Sequence, residues 1–158
     1  MIKKICFAVT LVLACAFARA QSLSFADILN LTSMNDAQAR DFLTVSKTFK
    51  SSGQQTVGGK SYEEYKIDKG TPEKTETILI GAEVRTASGT LSHEIIYNTT
   101  QEQDLNNLLA EAKKSTLTLI FQGADASSNI YRFDNSLFRA TISIAFDKKS
   151  GNVDVQQK

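Results

Sequence analysis

Beyond residue 20 the chain contains no cysteine, because both of its cysteines, Cys6 and Cys15, lie in the first 15 residues. That excludes a disulfide, a thiol nucleophile and a thiolate metal centre from everything after the N-terminal segment. Histidine is almost as scarce: His93 is alone. A single imidazole makes a poor transition-metal site unless carboxylates are placed beside it, and it is the only ordinary general base on offer. An excess of basic residues is also missing. Residues 21–158 carry a net charge of −2, which is no footprint for nucleic acid or an anionic membrane. Finally, no apolar run after residue 20 approaches the ~20 residues needed to cross a bilayer.

What is present begins with MIKKICFAVTLVLACAFARAQS. Lys3 and Lys4 precede an apolar run from Ile5 to Phe17, and Ala18-Arg19-Ala20 is a small-x-small exit. This order predicts a secretory signal peptide, cut between Ala20 and Gln21. A competing reading makes Val12-Leu13-Ala14-Cys15 a lipobox, with the protein anchored through lipidated Cys15. Cleavage after Ala20 leaves 138 residues, enough for one domain held by its core alone. The exit resembles signal peptides of Gram-negative bacteria. That resemblance implies a periplasmic or extracellular protein, similar to many small secreted proteins of such bacteria.

Hydrophobic periodicity predicts helices over 35–49 and 101–114, with a short one over 25–31. Ala39, Phe42, Leu43 and Ser46 share one face, and Leu105, Leu108, Leu109 and Ala112 another. Ser33 with Asp36, or Asn35 with Gln38, is placed to cap the first, and Thr100 with Gln103 the second. Alternation predicts strands in TETILIGAEV, LSHEIIYN, TLTLIFQ and FRATISIAFD. Their inward sets are Ile78/Ile80/Ala82/Val84, Leu91/His93/Ile95/Tyr97, Leu117/Leu119/Phe121 and Phe138/Ala140/Ile142/Ile144/Phe146. RTASGT and DKKSGN read as hairpin turns.

The two halves align. A shift of 66 residues lays Ala39, Phe42, Leu43 and Lys47 on Leu105, Leu108, Leu109 and Lys113, and Tyr65-Lys66-Ile67-Asp68 on Tyr131-Arg132-Phe133-Asp134. Removing four residues from the loop Lys69 to Lys74 changes the shift to 62 and lays Ile80 on Ile142, Val84 on Phe146 and Leu91 on Val153. The pattern predicts an α+β fold. A helix-plus-antiparallel-strands unit, over 33–98 and again over 99–158, forms one sheet with both helices on one face. This plan resembles the tandem repeats of β-lactamase-inhibitor-like proteins over most of residues 21–158. The likeness is architectural and carries over no functional residue.

One stretch imitates a phosphate loop. GQQTVGGKS, Gly53 to Ser61, ends in Gly-Lys-Ser, but the leading glycine is due at 54, where Gln54 stands. A phosphate loop opens a helix, whereas YEEYKI follows here as a strand. The segment therefore reads as a loop of Gly, Ser and Gln. The duplication also makes it the degenerate counterpart of LTLIFQGAD, a lost strand or an edge strand. His93 reads as a packed residue near a sheet edge, and Glu63 and Glu64 point to opposite faces.

No convergent catalytic set emerges, no metal site or cofactor is implied, and the oligomeric state is undefined. The leading expectation is a non-catalytic binding module for a protein or peptide. Its candidate surfaces are the open sheet face around Tyr62, Leu79, Ile96 and Ile120, and the loop residues Gly53, Gln54, Gln55 and Lys60. The alternatives are a small hydrolase using His93 with Glu94 or a spatial neighbour, and a carrier of an apolar ligand between sheet and helices.

Overall fold

The computed structural model describes residues 22–68, 74–86 and 89–158. The expected signal peptide with Cys6 and Cys15, most of the loop Lys69 to Lys74, and the middle of RTASGT lie outside the described residues.

Two short helices open the fold. In α1 (Phe25–Leu31) the Ser24 hydroxyl accepts from the Asp27 amide while the Asp27 carboxylate accepts from the Ser24 amide. Asn35 and Gln38 close the same reciprocal box at α2 (Asp36–Asp41), as one of the two sequence alternatives anticipates. Such a cap is worth about 1 kcal/mol. The expected helix over 35–49 does not run through. After Asp41 it widens into a π-helical turn, Phe42–Ser46, and the Phe49 amide then bonds back to the Leu43 carbonyl. The widening buries both Leu43 and Phe49. The longer helix α3 (Glu102–Lys114) matches expectation and buries Leu105, Leu108 and Ala112. Its N-cap is Gln101 with no side-chain cap bond; the expected Thr100 box is absent because Thr100 bonds to Thr75 instead.

Eight strands form one antiparallel sheet: β1 (Lys50–Val57), β2 (Lys60–Asp68), β3 (Thr75–Gly81), β6 (Ile95–Thr99), β7 (Thr118–Ala124), β8 (Ser128–Asp134), β9 (Phe138–Ala145) and β10 (Gly151–Gln157). Their spatial order is β1-β2-β3-β6-β10-β9-β8-β7. A separate two-stranded ribbon joins β4 (Val84–Arg85) to β5 (Leu91–Ser92). Tyr65, Ile78, Ile80, Ile95, Tyr97, Phe133, Ala140, Ile142, Val153 and Val155 form one continuous core with the helices. The Phe25 amide donates to the Glu111 carboxylate, and Lys47 pairs with Asp27, tying the first helices to α3 and to the π turn.

The segment expected to be a loop is a hairpin arm. Residues 50–57 pair with β2, and the turn is Gly58-Gly59, with φ of 58° and 82°. Two consecutive left-handed residues make a two-residue hairpin turn whose twist suits the strands, and glycine adopts them without a Cβ penalty. Of the two expected possibilities, a lost strand or an edge strand, an edge strand is what exists. A phosphate loop is geometrically absent here, since no helix follows Ser61.

The strand plan reads the same from both ends. Tyr65 stands between Ser51 and Ile78, as Phe133 stands between Leu119 and Ala140. Each outer pair carries one bulge, between Ser51 and Gly53 and between Leu119 and Phe121. At the middle of the sheet Tyr97 pairs with Val153 and Ile95 with Val155, around the central pair Ile96–Asp154. Ile80 and Ile142 occupy matching places, as the shift of 62 anticipates. Two other alignments are corrected. Tyr65 matches Phe133 and not Tyr131, because the outer hairpins are two residues further out of phase. Ile95 matches Val153, where Leu91 was expected, because Leu91 lies outside the main sheet.

Candidate functional site

The four residues expected to make an open-face patch do not all come together. Leu79 and Ile96 are cross-strand partners. Ile120 lies on β7, with β10, β9 and β8 between it and β6. Tyr62 and Leu79 are each only 3% exposed, and Ile96 is half-buried. Tyr62 is covered because it pairs with Gly81, where a Cβ would sit 3.4 Å from its ring, and its hydroxyl donates to Glu94 at 3.0 Å. Gly53, Gln54, Gln55 and Lys60 are exposed, as expected of them.

What the structure does assemble lies between the end of β3 and the start of β6. β3 stops at Gly81, β6 starts at Ile95, and the chain between them leaves the main sheet to form β4 and β5. In this gap Glu94 gathers three donors: Lys60 Nζ at 2.6 Å, the Tyr62 hydroxyl, and Gln156 Nε2 at 2.7 Å. Burial alone would raise the Glu94 pKa, but these donors outweigh it and hold the carboxyl below its ordinary range. Asp154, on the central pair, goes the other way. Burial and then the nearby Glu94 charge push it up to about 6. A cleft of about 450 Å³ opens beside this cluster, lined by Lys60, Tyr62, Val84, Ser92, His93 and Gln156 among others.

His93 is buried, as anticipated, but it is not paired with Glu94, whose carboxylate is engaged by Lys60, Tyr62 and Gln156. The His93 amide donates to the Thr32 carbonyl at the end of α1. Its Nδ1 lies 2.8 Å from the Gly81 carbonyl oxygen, so Nδ1 is the protonated nitrogen. Nε2 has no hydrogen-bond partner and faces the Asp36 carboxylate at 3.6 Å. Asp36 had a sequence signal only as a helix-capping residue, and Glu83 only as a residue of TETILIGAEV outside its inward set. Nothing in their spacing announced that they meet His93.

The far edge has a different character. Leu119, Ile120 and Phe121 on β7 are 38%, 59% and 44% exposed. The expected shared face for Leu117, Leu119 and Phe121 does not form. Ile120 is the extra residue of the bulge, so Phe121 pairs with Arg132 instead of continuing the alternation. The Arg132 guanidinium stacks 5.2 Å from the Phe121 ring centroid. The ring also lies over Gly123, where a Cβ would approach it to 2.6 Å. Among the described residues nothing pairs with the outer side of β7.

No protein-family model matches the chain, and neither a curated protein nor a solved structure matches it. Among the described residues no helix is long and apolar enough to cross a membrane.

Proposed function

We propose that the protein is a non-catalytic binding module of the periplasm or cell exterior that takes an extended segment of a protein or peptide partner along β7. The observation that carries this reading is the apolar triplet Leu119-Ile120-Phe121, exposed on a strand whose outer side is unpaired among the described residues. An edge strand offers a row of free amides and carbonyls, and an added strand satisfies them. Side chains beside that row then supply specificity. The bulge limits the length over which a guest strand can pair, which favours a short segment over open-ended aggregation.

The scaffold reading belongs to the same proposal: two copies of a helix-plus-four-strand unit joined edge to edge at β6 and β10. Its support is the mirrored strand order, the matching bulges and the central Ile96–Asp154 pair. A duplicated sheet of this kind provides two outer edges, and one can diverge toward binding while the other stays inert.

The test places a photo-crosslinking residue at Gln122 on β7 or at Gln55 on β1 in the exported protein. The expected result is one defined adduct from position 122 and none from 55. Binding of that partner should fall at least tenfold in the double variant Ile120→Asp, Phe121→Asp with unchanged melting. Equal adducts from both positions, or unchanged affinity in the folded double variant, would overturn the reading. A dimer of the chain itself, seen by sedimentation, would replace the foreign partner with a second copy.

A further inference from the structure

We propose that Asp36, Glu83 and His93 form a binding site for a Zn²⁺-like divalent transition-metal ion. This inference stands apart from the β7 reading and uses none of its residues. One atom from each side chain lies within 4.8 Å of the other two. The His93 side chain is fully buried, and its Nε2 carries no hydrogen bond. An imidazole nitrogen buried without a partner is costly, and a bound cation would satisfy it. The 3.6 Å from Nε2 to Asp36 Oδ1 is too long for a good hydrogen bond. It is close to the separation of two ligands on one tetrahedral ion, which is about 3.3 Å for bonds of ~2.0–2.1 Å.

The surroundings of the imidazole fit the same role. A ligating histidine commonly donates its other ring nitrogen to a carbonyl, which fixes the tautomer and the ring plane. Here Nδ1 does so to Gly81, leaving Nε2 free of a hydrogen bond on the side of Asp36. The His93 amide bond to Thr32 fixes the backbone as well. Asp36 and Glu83 are exposed, so a fourth position is open to water or a ligand. One nitrogen and two carboxylate oxygens suit Zn²⁺ better than Ca²⁺ or Mg²⁺, which take six or more oxygens. The three ligands come from α2, from the chain after β3 and from the chain before β6. A bound ion would therefore tie the first helices to the broken strand.

The experiment is isothermal titration of the untagged, exported protein with ZnCl₂, followed by melting with and without metal. The expected result is one site per chain, a higher melting temperature with Zn²⁺, and no comparable response to Ca²⁺ or Mg²⁺. Replacing buried His93 endangers the fold, so the exposed carboxylates carry the test. Asp36→Asn and Glu83→Gln should each weaken binding at least tenfold while leaving the metal-free melting temperature unchanged. Absence of saturable binding by the folded protein would overturn the assignment. So would a single site that survives in both variants, or one that prefers Ca²⁺.

Discussion

β1 and β7 hold the same place at opposite ends of the sheet, carry a bulge at the matching position, and share almost no surface chemistry. β1 reads KSSGQQTV and exposes every residue, with Val57 its only large apolar group. β7 reads TLIFQGA and exposes three consecutive apolar side chains. Their bulges are also built differently. β1 places Gly53 at φ 110°, a conformation that L side chains rarely adopt, whereas no non-glycine residue of β7 has positive φ. Both edges carry a bulge that limits further pairing, but β1 exposes polar side chains where β7 exposes apolar ones. The asymmetry continues inward. At the sheet centre β10 runs unbroken from Gly151 to Gln157, but its neighbour β6 begins only at Ile95, after a break around His93 and Glu94. The first half thus collects the polar clusters and the second keeps an apolar rim. Equivalent backbone positions do not enforce equivalent chemistry once the core requirement is met.

The strongest way to press this comparison is at a pair where the halves agree. Tyr65 and Phe133 occupy matching, fully buried places. Tyr65→Ala and Phe133→Ala should each cost about 3–5 kcal/mol, a large share of the stability of a domain this size. Because the core is continuous across β6 and β10, urea unfolding should remain a single transition in both variants. Two separated transitions would show that the halves fold independently, and the single-sheet account of stability would fail.

The readable part of this fold is the part set by local periodicity. α3, α1 and the inward sets Ile78/Ile80, Ile95/Tyr97 and Ala140/Ile142/Ile144 follow from spacing alone, because burial on one face is a repeating demand. The antiparallel sheet was legible for the same reason. β1 was not, since SSGQQT has little strand preference and is held by its pairing with β2 and its Gly-Gly turn. The β7 bulge was hidden as well. TLTLIFQ alternates cleanly in sequence, and only the register with β8 shows that Ile120 is skipped. The same limit applies to the sites. Asp36 is separated from Glu83 and His93 by β1, β2 and β3, so their meeting is a product of topology. Glu94 and Gln156 converge from the two halves across the sheet centre, again with no local signal.

A smaller effect tests the centre of the sheet, where the two halves meet with unlike residues. Asp154 faces Ile96, is half-buried, and has one carboxylate oxygen without a hydrogen-bond partner. Its folded pKa of about 6 lies above the ordinary aspartate value, so the fold binds the proton more tightly than the unfolded chain does. The charged form therefore costs stability above pH 6, and that cost disappears as pH falls through 6 toward 4. Asp154→Asn should stabilise the protein by about 1–2 kcal/mol at pH 8, allowing for partial solvation of the carboxylate. The difference should vanish near pH 4. Glu94 contributes with the opposite sign, since its lowered pKa gives stability that is lost on acidification through that value. Lys60 and Gln156 remain on Glu94 in the variant, so urea midpoints of both proteins between pH 4 and 8 isolate the Asp154 contribution.

The smallest expected effect bears most directly on the two edges. Ile120→Lys removes an exposed apolar side chain at a bulge, where it has no cross-strand partner among the described residues. Its effect on stability should stay within about 0.5 kcal/mol. Placing the apolar residue on the opposite edge, as Gln55→Ile, should be equally mild, because Gln55 is exposed on β1. The two variants should part company in solution. Ile120→Lys should suppress any concentration-dependent association seen by sedimentation, and Gln55→Ile should leave the association of the β7 edge intact while adding a second sticky edge. A loss above 1 kcal/mol for Ile120→Lys would mean that the residue is packed and that the apolar rim supports the fold. Matching sedimentation profiles for the two variants would mean that the edges differ in composition without differing in what they do.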